Sequence, residues 1–491
     1  MKKTLAILLS VLMLLGCMPA LAEEPVVLTA LWNATGTQMN EENSVMKAIE
    51  AKTGIRLLCT SSAEYDTKLA TLIASKNLPD IFCVYTNGEQ AAQLRDKGYV
   101  MDMAPYLKEY APNLWAELEE TLFMSPLNTD GKVYGIVSAA TGYPSSLAVR
   151  TDYLAKVEKE MPTTLDEFYD VLYAFTYNDP DGDGQKNTYG ISYAMSQMRS
   201  FEYTFGAFGI PVGKDIVLED GTVTTYMKHP RYLEVIEFLR KCYQTGVMDP
   251  DFATVATMDW FTKVWEGKVG FFDFQAVGTT NNWYPGRYTQ VPLATFDFAV
   301  IEGPHGDKGC IKQYPEVTRY EIMVSSQCKD PAAVARLLEY LNSEEGQILT
   351  NLGVEGLHFQ WTDKENLQYE RMPDFKEDAL HRADGGYLYF DMFSSFLADH
   401  LEIRMLTPLT QKGLNLGAAN PVDYAWMPVV LEAESEYGTT LTDIEQQCLA
   451  GLIVTTGDVE AEYKAFVEQW ENEGGLEFEA EATAVYAELN K

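Results

Sequence analysis

The sequence predicts an α/β protein with two lobes, each built from strands that alternate with helices. Its 491 residues exceed what one compact core usually holds, so two domains are expected. From residue 26 onwards, short apolar runs alternate with helical patterns, as in βαβ units with parallel strands. No repeat or low-complexity linker interrupts the chain, so short crossing segments are expected to join the lobes.

The elements of the first lobe follow from apolar runs and helical spacing. Residues 26–32, 55–59 and 80–85 are short, β-prone apolar runs, which predict three strands. Residues 41–53 place Val45, Met46 and Ile49 on one side of a helix, and residues 65–75 also have helical character. The sequence D-G at 130–131 predicts a tight hairpin turn that leads into a strand reaching residue 136.

The second lobe continues the alternation, and the chain is expected to cross into it near residues 145–150. A capping box of Thr164 and Glu167 opens a helix whose apolar face includes Phe168 and Phe175. The remaining predicted strands are 189–194, 268–272, 296–301 and 320–325, and the helices are 234–245, 331–342 and most of the tail from 423. The predicted domain bounds are 23–140 with 290–345 for the N-terminal lobe, and 141–289 with 346–491 for the C-terminal lobe.

Charge and composition exclude some classes of partner. The formal net charge is -35, which repels the phosphates of nucleic acids and anionic lipid surfaces. The chain is 46% hydrophobic, as expected of a globular protein rather than a disordered one. We therefore expect a monomer that binds a neutral or cationic small molecule and no nucleic acid.

The first residues predict export. Lys2 and Lys3 precede a short apolar run, and residues 1–22 fit a signal peptide cleaved after Ala22. Alternatively, L-L-G-C at 14–17 resembles a lipobox, in which Cys17 would be lipidated. Both alternatives place the mature protein outside the cytoplasm, either extracellular or anchored at the cell surface. The six later cysteines form no C-x-x-C pair, so they are either disulfide partners or buried thiols.

A run of aspartates at residues 178–190, N-D-P-D-G-D-G-Q-K-N-T-Y-G, resembles the first part of an EF-hand loop. Counted from Asp179, it supplies the acidic positions 1, 3 and 5 and a glycine at position 6. Position 12 is Gly190 instead of glutamate, which excludes a calcium sensor that opens on binding. The predicted ligands of a structural Ca²⁺ are Asp179, Asp181, Asp183, Gln185 and Asn187, and the alternative is a solvated acidic turn. A second D-P-D at 249–251 predicts only a turn.

The sequence gives little support for catalysis. The five histidines show no H-E-x-x-H spacing, and no G-x-S-x-G motif is present. A pair of carboxylates suited to a glycosidase cannot be selected from so many acidic residues. We therefore expect a binding protein and keep a glycan-active enzyme as an alternative.

Eight segments, taken in order, carry a resemblance to a known family. They are L-P-D-I at 78–81, D-K-G-Y-V-M-D-M-A-P-Y-L at 96–107, D-G-K-V-Y-G-I at 130–136, M-P-T-T-L-D-E-F at 161–168, G-V-M-D-P-D-F at 246–252, E-G-K-V-G-F-F at 266–272, N-S-E-E-G-Q-I-L at 342–349 and G-V-E-G-L-H-F at 353–359. Together they resemble the extracellular solute-binding proteins of ABC importers, of the sugar and oligosaccharide type, near the alginate-binding and lipoprotein-A-like branch.

The resemblance implies a type II periplasmic-binding-protein-like fold, two lobes that close on a solute, and docking on importer permease subunits. It also implies that the aspartate loop holds calcium, although the acidic residue common at or beside position 9 is replaced by Asn187 and Thr188. A sensor subunit that presents its ligand to a membrane kinase would have the same fold. Neighbouring genes for two permease subunits, or for a histidine kinase, would separate these alternatives.

Candidate solute contacts are chosen by position, because most aromatic residues in a chain of this composition fill cores. Aromatic rings meet the C–H faces of a sugar, and polar side chains meet its hydroxyl rim. In open parallel sheets, ligands lie at the carboxyl ends of strands. The predicted contacts are Trp32, Asn33, Tyr85, Tyr143, Arg150, Asn282, Trp283, Tyr284, Arg319 and Trp361.

Overall fold

The computed structural model describes residues 24–33, 40, 42–62, 64–85, 89–125, 127–137, 139–276, 295–317, 320–386, 407–429 and 431–491. The predicted signal peptide with Cys17, and the predicted contacts Asn282, Trp283, Tyr284 and Arg319, lie outside these residues. None of the helices in this part of the chain combines the length and the hydropathy needed to cross a bilayer.

The strands are short and spread along the chain. They are β1 Val26–Asn33, β2 Ile55–Ser62, β3 Ile81–Tyr85, β4 Ala139–Thr141, β5 Ser145–Arg150, β6 Tyr189–Ile191, β7 Asp215–Val217, β8 Val223–Thr225, β9 Val269–Gln275, β10 Phe296–Ala299, β11 Cys310–Ile311, β12 Pro315–Val317, β13 Tyr320–Val324, β14 Phe359–Asp363, β15 Gln368–Arg371 and β16 Pro421–Val422.

Helices fill most of the sequence between them. They are α1 Ser44–Thr53, α2 Tyr65–Ala74, α3 Glu89–Asp96, α4 Ala104–Tyr110, α5 Pro112–Leu122, α6 Thr151–Lys156, α7 Leu165–Tyr177, α8 Glu202–Gly206, α9 Tyr232–Gln244, α10 Thr257–Trp265, α11 Pro331–Asn342, α12 Glu344–Leu352, α13 Asp378–Ala383, α14 Pro408–Ala419, α15 Glu432–Val454, α16 Val459–Trp470 and α17 Leu476–Leu489.

The chain divides into two compact units. Unit 1 comprises Met1–Ala140 and Val317–Met405, and unit 2 comprises Thr141–Glu316 and Leu406–Lys491. The sequence-based bounds differ from this division in two segments. Residues 295–316 belong to unit 2 because β10 pairs with β5, and residues 346–386 belong to unit 1 because Asp384 accepts a hydrogen bond from the backbone N–H of Ser44 at 3.0 Å.

Unit 1 is built on a four-stranded sheet in the order β13-β3-β1-β2. The first three strands along the chain are parallel, and β13 joins antiparallel to β3. The L-P-D-I segment explains part of this register, since the Asp80 carboxylate accepts hydrogen bonds from the backbone N–H and hydroxyl of Thr29 at 2.8 and 2.7 Å. Val45 and Ile49 of α1 are fully buried in the hydrophobic core of unit 1, as the helical spacing predicts.

Unit 2 has its own four-stranded sheet, in the order β10-β5-β9-β6. Here β6 and β9 are parallel, whereas β5 is antiparallel to both of its neighbours. The capping box that precedes α7 is present, and Phe168 and Phe175 are buried against Phe271 of β9. The helical tail packs on α9 through α15, which completes a core separate from that of unit 1.

Two local expectations, a strand near residue 136 and possible disulfides, can be compared with the structure. The predicted strand near residue 136 is wrong, because Ile136 makes only an isolated antiparallel bridge to Ile322, with N···O distances of 2.8 and 3.0 Å. The turn that precedes it is present, with Asp130 and Gly131 both at positive φ. The six described cysteines are buried free thiols, so the disulfide alternative does not hold in this structure.

Candidate functional site

Three predicted contact residues lie at the carboxyl ends of neighbouring parallel strands in the unit 1 sheet. In the parallel pairing of β1 with β3, Ala30 stands opposite Ile81. The two strands therefore end on the same edge, β1 at Asn33 after Trp32, and β3 at Tyr85. This placement agrees with the criterion by which these residues were chosen. Whether they touch a solute stays a prediction.

In unit 2 the segment between β4 and β5 is fixed by two side chains that sequence reasoning did not select. The backbone carbonyl of Tyr143 accepts hydrogen bonds from Arg199 Nη1 at 2.9 Å and Gln275 Nε2 at 3.1 Å. Gln275 is the last residue of β9, and the predicted strand stopped at residue 272, so the strand-end criterion missed it. The half-buried Tyr143 thus has a firmly held backbone.

Arg150 is placed differently from a surface contact. Its side chain is 4% exposed, and its Nε and Nη2 atoms bind both carboxylate oxygens of Asp152 at 2.8 and 2.6 Å. The guanidinium carbon lies 3.9 Å from the centroid of the Tyr153 ring. This bidentate, stacked arrangement gives Arg150 a structural role at the start of α6, and leaves little of it to meet a solute.

Trp361 lies in the β14–β15 hairpin of unit 1. Its ring packs edge-on against the rings of Phe359 and Tyr369, with ring centroids 5.1 and 6.3 Å away. Its indole N–H is buried and has no hydrogen-bond partner in the described part of the chain. Edge-to-face packing of this kind stabilises a small aromatic cluster. A buried indole N–H is also a donor that a ligand hydroxyl can satisfy.

The aspartate loop connects α7 to β6 and forms a compact acidic turn. Oxygens of Asp179, Asp181 and Asp183 lie within 4.8 Å of one another, and Lys268 Nζ is 3.6 Å from the Asp181 carboxylate. The backbone N–H of Gly184 donates to both oxygens of Asp179 at 3.2 Å, with Gly184 at φ 76°. Hydrogen bonds from the Asn187 amide, at 2.7 Å, and from the Gln185 backbone N–H hold the pKa of Asp183 below its usual range.

These residues fit a bound Ca²⁺. Three carboxylates supply charge and hard oxygens at mutual distances that one ion can bridge. The amide oxygen of Asn187 is buried and has no hydrogen-bond partner among the described atoms, which leaves an oxygen ready for a cation. Lys268 already approaches the cluster as a weaker positive partner. The second D-P-D is different, because Lys263 Nζ binds Asp249 at 2.7 Å and Asp251 at 2.9 Å.

The structure explains why position 12 of the loop is a glycine. Gly190 lies in β6 directly against α7, and a Cβ atom there would come within 2.6 Å of the Cα and carbonyl oxygen of Leu172. Its backbone N–H donates to the Thr176 hydroxyl at 2.9 Å. The strand therefore packs too closely on the helix to admit the glutamate of a complete EF-hand.

The sequence matches, over residues 44–352, a family described as bacterial extracellular solute-binding protein. LipO, a lipoprotein of Bacillus subtilis (strain 168), is 26% identical over 475 residues, covering 91% of this chain and 89% of LipO. YtcQ of the same organism, a polygalacturonan/rhamnogalacturonan-binding protein, is 24% identical over 453 residues, covering 89% of this chain and 87% of YtcQ.

A solved structure shares the fold. It is the structure of FusA, an ABC-transporter substrate-binding protein of Streptococcus pneumoniae, solved as an EF-hand mutant in complex with fructo-nystose. This chain superposes on it with a TM-score of 0.72. The two chains are 19% identical, and the likeness covers 94% of this chain and 99% of FusA. It confirms the predicted α/β fold of two lobes, of the type II periplasmic-binding-protein kind. Since the family match spans well over half of the sequence, this chain belongs to the bacterial extracellular solute-binding proteins.

Proposed function

We propose that this protein captures an oligosaccharide outside the cytoplasm and delivers it to the permease subunits of an ABC importer. The observation that carries the proposal is the likeness, over nearly the whole chain, to YtcQ and FusA. YtcQ is a polygalacturonan/rhamnogalacturonan-binding protein, and FusA is an ABC-transporter substrate-binding protein in complex with fructo-nystose. The sheet edge of unit 1, with an aromatic residue at the end of each of two parallel strands, is in keeping with a glycan contact surface.

The proposed contacts are the aromatic and polar residues selected from the sequence, apart from Arg150. Trp32, Asn33 and Tyr85 have the strongest structural support, since their backbones share one sheet edge. Trp361 adds an indole donor. The others stay proposals from position in the sequence: Tyr143, Asn282, Trp283, Tyr284 and Arg319. Capture would shift an equilibrium between open and closed forms only by the difference in glycan affinity between them.

Thermal melting with a glycan panel tests the proposal. Fructo-oligosaccharides, oligogalacturonides and rhamnogalacturonan fragments are the probes, and a true solute at about 100 times its Kd adds about 2.7 kcal/mol to the free energy of unfolding. Tyr85→Ala should weaken binding of that glycan about two- to tenfold, since stacking on an aromatic ring supplies roughly 0.5 to 1.5 kcal/mol. Tyr173→Ala is the matched control, because Tyr173 is 49% exposed on α7 of unit 2. A panel without a single stabilising glycan would refute the carbohydrate assignment.

We also propose a cell-surface location through a lipid on Cys17. The relationship to LipO, a lipoprotein, supports acylation over cleavage after Ala22. Mass spectrometry of the mature N-terminus decides between them: an acylated Cys17 supports the anchor, and an N-terminus at Glu23 contradicts it.

We further propose that the aspartate loop binds a structural Ca²⁺ through Asp179, Asp181, Asp183 and Asn187, with Gln185 as a backbone ligand. When bound, the ion would neutralise the carboxylates at the end of α7. The fit of the buried Asn187 oxygen supports this, as does the existence of an EF-hand in FusA.

Chelation tests the calcium proposal. Adding EGTA should lower the melting temperature of the protein by several degrees, and Asp181→Ala should abolish that difference, since a bound ion stabilises only the folded chain. Asp251→Ala is the matched control, because it removes an aspartate of the second D-P-D, where Lys263 already serves as the cation. Equal melting temperatures in EGTA and in Ca²⁺ would show that the loop is only a turn.

A further inference from the structure

Two adjoining cavities lie within unit 2, beside β7 and α15. Their volumes are about 470 Å³ and about 220 Å³. They share Gly213, Lys214, Thr442 and Glu445 as lining residues, so they lie side by side, and we call the two together the α15 pocket. The larger volume alone falls within the range of small-molecule sites.

The wall of the larger cavity is strongly acidic. It carries the carboxylates of Asp215, Glu434, Asp443 and Glu445 against a single cation, Lys214. None of these four carboxylates takes part in an ion pair within the described part of the chain. Nearby Lys228 does not compensate them, because its ammonium is bound by two other glutamates at 2.6 and 2.8 Å.

Two of these carboxylates belong to half-buried residues, Asp215 and Glu445. Burial raises the pKa of Asp215 to about 7, with further increases from Glu445 and Glu434 and a decrease from Lys214. Burial also raises the pKa of Glu445 to about 7. Hydrogen bonds from Thr225 and from the indole N–H of Trp470, the latter at 3.2 Å, lower this pKa but do not cancel the effect of burial. Near pH 7 each carboxyl therefore keeps a proton for part of the time, which a bound positive charge would displace.

A second feature indicates a missing ligand independently of charge. Tyr226 lines the smaller cavity together with Glu445, is 1% exposed, and its hydroxyl has no hydrogen-bond partner among the described residues. Leaving a buried hydroxyl unsatisfied costs about 1 to 3 kcal/mol, so native proteins usually supply a partner. A polar molecule in the pocket would be such a partner.

The spacing of the carboxylates selects the class of molecule. Within the described ranges, the only carboxylates close enough for three to share one ion are Asp179, Asp181 and Asp183, so the acids of the α15 pocket do not form a metal site. A molecule with separated positive groups can reach them, and the Trp470 and Phe478 side chains offer an apolar wall to its carbon chain. We propose that unit 2 binds a small organic cation with amino groups in the α15 pocket.

Isothermal titration with putrescine and spermidine, in saturating Ca²⁺, tests the proposal on the mature chain. We expect binding that weakens at least tenfold in Glu445→Gln and in Asp215→Asn, and that releases protons at pH 7, measured in two buffers of different ionisation enthalpy. Glu436→Gln, an exposed acid on the same helix, should bind as the wild type does. The neutral analogue 1,4-butanediol should not bind.

Three results would overturn the proposal. They are no heat of binding for either amine, an unchanged affinity in Glu445→Gln, or equal binding of Mg²⁺ at matched ionic strength. Both test variants keep the size of the side chain and remove repulsion, so they are expected to fold. The amine result is independent of the glycan panel, and either assignment can fail while the other stands.

Discussion

The guanidinium of Arg150 is held from two directions, by both oxygens of Asp152 and by the face of Tyr153. Such a geometry depends on the planar fork of arginine, which an ammonium cannot reproduce. Its Nη1 atom is buried without a hydrogen-bond partner in the described residues. The side chain therefore packs closely against its neighbours although one of its hydrogen-bond donors is unused. At the level of single residues, a charged side chain at a strand end can therefore serve the fold.

Arg150→Lys distinguishes that structural role from solute binding. We expect the variant to lose about 1 to 3 kcal/mol of stability, because one bidentate charge-assisted pair is reduced to a point contact. Glycan affinity should stay within about twofold of the wild type. Arg336→Lys serves as the control, since its pair with Asp330 is long, 3.8 Å, and exposed, and such pairs contribute about 0 to 1 kcal/mol. Loss of glycan binding in Arg150→Lys without loss of stability would reinstate Arg150 as a contact.

At the scale of elements, α7, the aspartate loop and β6 form one continuous segment held together by hydrogen bonds and close packing. The helix ends at Tyr177, and the loop then takes left-handed conformations at Asp179, Gly182 and Gly184, with oxygens of its three aspartates within 4.8 Å of one another. The Thr188 hydroxyl donates to the Phe175 carbonyl at 2.8 Å, which ties the loop's exit back to the helix. Close packing of β6 on α7 then fixes the identity of Gly190.

Restoring the missing EF-hand residues should have opposite effects at two positions. Gly190→Glu should destabilise the protein by about 3 kcal/mol and fail to improve calcium affinity, because its Cβ clashes with the α7 backbone. Asn187→Asp should lower the melting temperature in EGTA by adding a fourth carboxylate, and should tighten Ca²⁺ binding several-fold. Calorimetry with Ca²⁺ and melting in EGTA measure both effects. Tighter calcium binding by Gly190→Glu would mean that β6 can move away from α7.

Elements with strong local signals were predictable from the sequence. The three parallel strands of unit 1 and the helix Pro331–Asn342 follow from apolar runs and spacing that are visible in short windows. The strand expected near residue 136 failed, since only a single bridge to β13 forms there and its partner lies far away in the chain. Short-range pattern indicates β-propensity, whereas pairing is decided by distant segments.

At the scale of the whole molecule, the two-unit organisation was predictable and the later boundaries were not. The return of the chain from unit 2 to unit 1 is defined by β13 pairing with β3, and the assignment of residues 346–386 depends on contacts such as that of Asp384 with Ser44. The α15 pocket was also beyond sequence reasoning, because Asp215 and Glu445 become neighbours only after folding. No local motif places two carboxyls from different elements at one cavity.

Buried carboxyls in both units predict a stability that falls as the pH rises through neutrality and levels off above about pH 8. Burial raises the pKa of Asp215, Glu321 and Glu445 to about 7, compared with about 4 in an unfolded chain. The folded state thus binds more protons, and each group should lose about 1 kcal/mol of stability between pH 6.5 and 8.5. Burial lowers the pKa of His229 and His358, and their opposite effect on stability is complete only by about pH 7.5, one unit above the unfolded-state pKa of about 6.5. Denaturant unfolding in 0.5 M NaCl, which screens the surface charge, measures the slope. The variant Asp215→Asn, Glu321→Gln and Glu445→Gln combined should flatten it, and a wild-type stability that is level or rising over this range would contradict the raised pKa values.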